Sequence, residues 1–421
     1  MIMIVNILIF IVGLLIYAGY GWAGMAYLAA AVLLSYGAGL LTKRFRWAAL
    51  VCVGLNAAML LLLKLQPVTG MSLLAPLGVS YFTLQIISYN VDVYRGKYEP
   101  ERNLFRYALF VTYIPHLFIG PIERYDSMSA ALEQRHITWE GISRGAARAL
   151  WGLFKKYVIA ARVGIIISAI SAKPDAYQGV YALAAMVGYS VQLYSDFSGG
   201  IDMVLGLSRM LGITMSENFD APYLSQSFQE FWRRWHMTLG SWLREYVYIP
   251  LGGNRKGKVR KVLNLVVTFL VSGLWHGVEY LLWGLINGIF VAFGSSLQTR
   301  WKTVNRIGTF ALVSLLWSFF VWPDMVTAVK MVASVFTTFN YGEFALQIGT
   351  MGLSLGDWIV LVAAVAALWI YDVNRRRAGD WFQNRCSAGK TAVICLLALL
   401  VLVFGVYGIG FNADAFIYSR F

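Results

Sequence analysis

Two histidines in this chain sit where imidazole is costly to place. His276 lies in "NLVVTFLVSGLWHGVEYLLWGLING", an apolar run long enough to cross a bilayer. An imidazole at that depth is either quietly hydrogen-bonded or positioned for chemistry. Gly273 and Gly277 flank it, and glycine lets another backbone or a substrate come close. Trp275 beside it suits a pocket wall. Ionisable groups at membrane depth point to function, and neutral imidazole, titrating near about 6.5, suits removal of a hydroxyl proton. His236 lies 40 residues earlier in "FQEFWRRWHMTLGSWLREY", again beside tryptophan. Alone it also reads as an interfacial belt histidine; together the pair favours a shared site. A metal site lacks a third ligand at suitable spacing. Cys52, Cys386 and Cys395 form no CxxC pair and suggest no disulfide framework.

A basic patch flanks His236. Arg233, Arg234, Arg244 and "GGNRKGKVRK" (252–261) make its core. An anchoring loop is one reading. The other is a cradle for a phosphorylated donor such as coenzyme A, with Gly252 and Gly253 offering backbone N–H groups and Arg233, Arg234, Asn254, Arg255 and Lys256 as its candidate side chains. The P-loop pattern is absent. Asp196 and Asp202, near Gly199-Gly200, read as carboxylates paired with arginine or capping a helix break. His116 and His136 read as structural.

The elements that must position these groups are helices in a membrane. Of 421 residues 59% are hydrophobic and only 13% charged, which excludes an ordinary soluble domain. At about 20 residues per span the apolar runs give roughly ten membrane helices, counting broken ones. With no linker and no internal repeat, residues 1–421 read as one domain. The N-terminus reads as a retained first span, not a signal peptide. The net charge of +14 fits the positive-inside rule and anionic lipid, and no nucleic-acid motif accompanies it. "TKRFR" (42–46), 94–106 and 374–390 read as cytoplasmic, which puts the N-terminus inside and the C-terminus outside.

Residues 2–66 read as three plain spans. "PLGVSYFTLQIISYNVDVYRG" (76–96) carries Ser80, Thr83, Gln85, Ser88, Asn90 and Asp92, so its polar side faces the bundle interior. Pro115, Gly120 and Pro121 predict a helix broken twice, a re-entrant or broken segment packed in protein. Residues 141–164 read as a basic interfacial helix. Ser227 and Glu230 begin a capping box and Pro250 marks a stop, which predicts about six helical turns between them. On that helix Trp232, Trp235, His236, Leu239 and Leu243 share one face, and Arg234, Thr238, Ser241 and Glu245 another.

Taken together, "PLGVSYFTLQIISYNVDVYRG", "HLFIGPIERY", "LYSDFSGGIDM", "ENFDAPYLSQSFQEFWRRWHMTLGSWLREYVYIPLGGNRKG" and "SGLWHG" resemble the bacterial membrane-bound O-acyltransferase (MBOAT) family. The resemblance is nearest to the alginate O-acetyltransferase branch, which is related to peptidoglycan O-acetyltransferases and the teichoic-acid D-alanyl transferase. It covers roughly residues 75–290; the first spans and 300–400 agree only in hydropathy. It implies an all-α polytopic membrane protein, a ring of roughly ten transmembrane or broken helices around a central tunnel. It implies that His276 is catalytic and that His236 assists near the same tunnel. It also implies a cytoplasmic thioester donor, acetyl-CoA, and an extracytoplasmic partner with a serine-hydrolase-like fold that serves a polysaccharide acceptor. The ending "FIYSRF" (416–421), in the extracytoplasmic tail 411–421, is similar to a Phe-Ile-Tyr-x-x-Phe ending of this branch, which implies an acyl relay at Tyr418. His236, with nearby donors such as Asn264 or Arg233, is expected to orient the donor or stabilise the developing oxyanion. D-alanyl transfer from a carrier protein is the alternative within this chemistry. A transporter for a lipid-linked sugar is the alternative outside it, suited by broken helices and buried carboxylates but lacking a repeat that relates two halves.

Overall fold

In hydrocarbon each backbone N–H and C=O must find its partner within the protein, so apolar runs of this length fold as helices. A computed structural model describes residues 2–294 and 298–407, apart from the His116 and Phe118 side chains. Every regular element among the described residues is helical. Five helical stretches are long and apolar enough to cross a membrane, and the chain is a multi-pass membrane protein.

The first three helices are α1 (Ile2–Ala18), α2 (Trp22–Leu41) and α3 (Trp47–Thr69), as the hydropathy predicts. They lean on α4 (Val79–Arg95), which is buried along almost its whole length. The polar residues of α4 face inward, as expected from their depth: Ser80, Thr83, Gln85, Ser88, Asn90 and Asp92 are all buried. Asn90 donates to Ser35 Oγ of α2 at 2.6 Å, and Asp92 pairs with Lys97 at 3.2 Å.

The twice-broken segment is present as α5 (Leu104–Thr112), α6 (Ile114–Ile119), an extended stretch at 120–124, and α7 (Tyr125–Glu133). It is re-entrant. Tyr125 hydrogen-bonds Glu101, Lys97 pairs with Asp126 at 3.2 Å, and Arg106 pairs with Glu133 at 2.8 Å, so α7 begins at the end of the bundle where α5 began. Arg135 reaches the Ile2 carbonyl at 3.4 Å, and Lys43 pairs with Glu99. The chain start and the basic loops at 42–46 and 94–106 therefore gather at one end.

Next come α8 (Trp139–Leu153), one π-helical turn (Phe154–Ala160), α9 (Ala161–Ser171) and the long α10 (Val180–Met210). The basic residues of 141–164 do not form an interfacial face. Arg148, Lys155 and Lys156 turn inward onto the carboxylates of α10, because unpaired charge on either side would be far costlier there, while Arg144 pairs with Glu140 and Arg162 with Asp357. Arg148 and Lys155 hold Asp202 at 2.9 and 2.7 Å, and Lys156 holds Asp196 at 2.6 Å. Nor do Gly199 and Gly200 break the helix; α10 runs straight through them. Gly145 and Gly152 of α8 instead meet Gly206 and Gly199 of α10. A Cβ on Gly206 would stand 2.5 Å from the Gly145 carbonyl, and one on Gly152 would stand 2.4 Å from that of Gly199. Small residues let two membrane helices pack backbone to backbone.

The remaining helices are α11 (Phe228–Arg234), α12 (Met237–Leu243), α13 (Gly257–His276), α14 (Leu281–Phe293), α15 (Lys302–Leu316), α16 (Ser318–Val321), α17 (Met325–Thr337), α18 (Tyr341–Gln347), α19 (Leu355–Gln383) and α20 (Ser387–Phe404). Lys390 at the start of α20 pairs with Glu140 at the start of α8, which brings the 374–390 region to the same end as the other basic loops.

Gly206→Leu is expected to force α8 and α10 apart at a cost of about 1–3 kcal/mol, read as a lowered melting temperature in detergent. Gly308→Leu on α15, where a Cβ meets open space, is expected to leave it unchanged.

Candidate active site

The stretch that carries His236 does not form one long helix. Ser227 Oγ caps α11 by accepting from Glu230 N at 3.1 Å, as expected, while the Glu230 carboxylate accepts from Gln226 N at 2.8 Å. The helix then ends at Arg234. His236 adopts φ 45° and ψ 53°, a left-handed conformation that only one other described non-glycine residue, Ala221, takes on the positive-φ side. Such a residue costs roughly 1–3 kcal/mol and persists only where its surroundings over-determine it.

Asn218 does so here. Its carbonyl oxygen accepts from Met237 N at 2.9 Å. Its side-chain oxygen accepts from Thr238 N at 3.1 Å and from Thr238 Oγ1 at 2.9 Å, and lies 3.2 Å from His236 Nδ1. The break brings Thr238 to the histidine's side, off the face shared with Arg234. Thr238 Oγ1 also accepts from Ile122 N at 3.1 Å, so the re-entrant segment is fastened to the same point.

His276 is the last residue of α13. A close hairpin with α14 holds it. A Cβ on Gly273 would stand 2.5 Å from the Tyr280 carbonyl, and one on Gly284 would stand 2.4 Å from that of Phe269, so both positions require glycine. Trp275 donates to the Ser80 carbonyl at 3.3 Å and Trp242 to that of Leu84 at 2.9 Å, which fixes α12 and α13 to α4.

The two histidines meet. Both line one narrow cavity of about 30 Å³, walled by Trp232, Trp235, Trp283 and Trp317. Trp275 stands between the rings, 6.1 Å from His236 and 4.8 Å from His276 by centroid. Phe197 packs edge-on to His236 at 4.9 Å, and Trp283 edge-on to His276 at 5.6 Å. Ser272 is the cavity's hydroxyl. Aromatic walls that exclude water strengthen each electrostatic interaction inside. Such a place suits an imidazole that takes a proton from a hydroxyl.

The basic patch is organised differently from the expected cradle. Gly252 N and Gly253 N are already bonded to the carbonyls of Ile249 and Tyr248 at 2.9 Å each, so these donors serve the turn. Asn264 donates to the Gly253 carbonyl at 2.8 Å and anchors the loop; it does not face the histidines as an oxyanion donor. Arg234 is held by Glu230 at 2.7 Å, and Arg233 is exposed on α11. Asn254, Arg255 and Lys256 are exposed on the loop. His136 is exposed between α7 and α8. Tyr418 and the rest of the tail lie outside the described residues, as does the side chain of His116.

The sequence reading missed Asn218, Trp317 and Phe320. Asn218 stands in the quoted "ENFDAP"; an asparagine before the Trp-His segment was the signal, and the structure buries it. Trp317 and Phe320 come from "LLWSFFVW", an aromatic run read only as hydropathy.

Comparison with known proteins agrees with this geometry. The profile of MBOAT, the membrane-bound O-acyltransferase family, matches residues 100–337. The chain belongs to the MBOAT family. The match reaches past residue 290 and takes in Trp317 and Phe320. A probable alginate O-acetylase AlgI of Pseudomonas syringae pv. tomato is 38% identical over 357 residues, covering 83% of this chain and 67% of that protein. A peptidoglycan O-acetyltransferase of Helicobacter pylori is 33% identical, over 62% of this chain and 56% of its own. A teichoic acid D-alanyltransferase of Streptococcus thermophilus is 28% identical, over 59% of this chain and 64% of its own. This MBOAT protein is an O-acyltransferase.

Asn218→Ala removes the side-chain oxygen that accepts from Thr238 N and Thr238 Oγ1 at the left-handed turn. It is expected to lower stability by about 1–3 kcal/mol, against less than about 0.5 kcal/mol for Asn254→Ala on the exposed loop, both read by thermal unfolding in detergent.

Proposed function

We propose that this protein moves an acetyl group from acetyl-CoA on the cytoplasmic side to an extracytoplasmic acceptor, for O-acetylation of a cell-surface or secreted polysaccharide. One observation carries the reading: two imidazoles on separate helical segments converge on a single tryptophan-walled cavity. In it His276 takes the proton of the acceptor hydroxyl as that oxygen attacks the acyl carbonyl. The C–O bond forms, the thioester C–S bond breaks, and the thiol leaves. General-base help of this kind contributes about 10²–10⁴-fold. His236, set by Asn218, orients the donor or stabilises the oxyanion.

The helices then form a ring of roughly ten transmembrane or broken segments, with the cavity on the path between the two faces. The clustering of the basic loops at one end supports a cytoplasmic face there, with the N-terminus inside and the C-terminus outside. Arg233, Arg255 and Lys256 are left to attract the donor's phosphates as exposed charges, with Asn254 beside them. Arg234 is a weaker candidate because Glu230 occupies it. Tyr418, or a serine of an extracytoplasmic serine-hydrolase-like partner, receives the acetyl before it reaches the sugar. Relatives of both O-acetylase names support acetyl over D-alanyl.

The test is transfer of label from radiolabelled acetyl-CoA to the purified protein, with the site mapped by peptide mass. His276→Ala is expected to lower the rate at least about 10²-fold, and Tyr418→Phe to remove the mapped label. A folded His276→Ala protein that labels at the wild-type rate overturns the reading. Movement of a lipid-linked sugar across liposomes without any acyl donor would favour a transporter.

A further inference from the structure

A second and much larger cavity, about 550 Å³, opens between α8, α10, α19 and α20. It shares no lining residue with the histidine cavity. Tyr194 lines it, and packs edge-on to Phe219 at 5.9 Å; Phe219 in turn packs edge-on to Trp235 at 5.0 Å, a wall of rings between the two spaces.

The charges in this cavity are unevenly committed. Asp202 and Glu217 are taken by Arg148, at 2.9 and 2.5 Å, and Asp202 also by Lys155. Asp372 accepts from the Tyr194 hydroxyl at 2.9 Å. Arg144 is held by Glu140 at 2.5 Å, and Arg375 by Asp220 at 2.6 Å. That leaves Arg209. Its guanidinium lines the cavity with Arg144 and Arg148, and among the described residues it has no hydrogen bond or ion pair. A guanidinium grouped with two others, with Asp202 and Glu217 already engaged by Arg148, calls for an anion, and its planar fork suits phosphate.

The apolar part of the lining says which kind of anion. Val393 and Leu397 of α20 and Trp381 of α19 supply it, beside Arg375, Asp380 and Gln383 of α19. α19 has 29 residues, about 44 Å of helix, longer than a hydrocarbon core of about 30 Å. Its last turns, with Arg375, Arg376, Arg377 and exposed Trp381, fall at headgroup depth, where basic residues and tryptophan collect.

We propose that this cavity holds an anionic membrane phospholipid, its phosphate on Arg209 and an acyl chain along Val393 and Leu397. Basic pockets between membrane helices bind such headgroups. The lipid bridges α10 and α20 at the basic end.

The test is native mass spectrometry of the full chain in detergent with phosphatidylglycerol, phosphatidylcholine or inorganic phosphate added. Retained phosphatidylglycerol without retained phosphatidylcholine is expected. Arg209→Gln should weaken retention about tenfold or more, the loss of one charge-assisted contact, while Arg306→Gln on α15 leaves it unchanged. Leu397→Trp, which keeps the charge and fills the chain's seat, should also weaken it, and serves alone if Arg209→Gln does not fold. Retention unaffected by either cavity variant overturns the proposal. So does inorganic phosphate that binds through Arg209 with no lipid retained, which would make this a site for a soluble phosphate. Neither outcome bears on acetyl transfer, which is read at the other cavity.

Discussion

Hydrocarbon offers no partner to a backbone amide, and that constraint organises the whole molecule. A chain that needs breaks near its chemistry can have them only where protein supplies the missing bonds. Here the breaks at 113, 120–124 and 236 all lie within the bundle and find partners there. The Tyr113 carbonyl accepts from Leu117 N at 3.2 Å, Ile122 N finds Thr238, and Met237 N finds the Asn218 carbonyl. The apolar helices at the periphery make this irregular centre possible by separating it from lipid.

Charge obeys the same rule. Glu123 of the re-entrant segment is buried, and accepts from Ser216 N at 2.5 Å and Ser216 Oγ at 3.0 Å. Ser216 lies two residues before Asn218. Glu123, Ile122, Thr238 and Asn218 thus form one connected set that fastens the re-entrant segment to the left-handed turn at His236. On the other side the α13–α14 hairpin and the Trp275–Ser80 bond fix His276. The two imidazoles are set by separate scaffolds that share α4 through Trp242 and Trp275. Preorganised catalytic groups require support of this kind.

What was legible in the sequence was whatever hydropathy, proline and histidine reveal locally. The three opening helices, the inward polar side of α4, the re-entrant break after Thr112 and the end of α13 at His276 all follow from composition over short windows. What failed was non-local. Nothing between Ser227 and Pro250 breaks a helix by propensity; the break at His236 is imposed by Asn218, eighteen residues away. The basic residues of 141–164 look interfacial until α10 supplies Asp196 and Asp202. Gly199-Gly200 looks like a break until Gly145 and Gly152 come against that face of α10. The donors of Gly252-Gly253 look free until the turn consumes them. In each case a partner distant in sequence changes what a residue does.

The central claim is that His236 and His276 act as one site. A double-substitution cycle on acetyl-transfer rate, with His236→Ala, His276→Ala and the pair, tests it most directly, because groups acting as a unit are strongly non-additive. The account predicts that the double variant is no slower than His276→Ala alone. Rate losses that multiply, as for two independent residues, would contradict it.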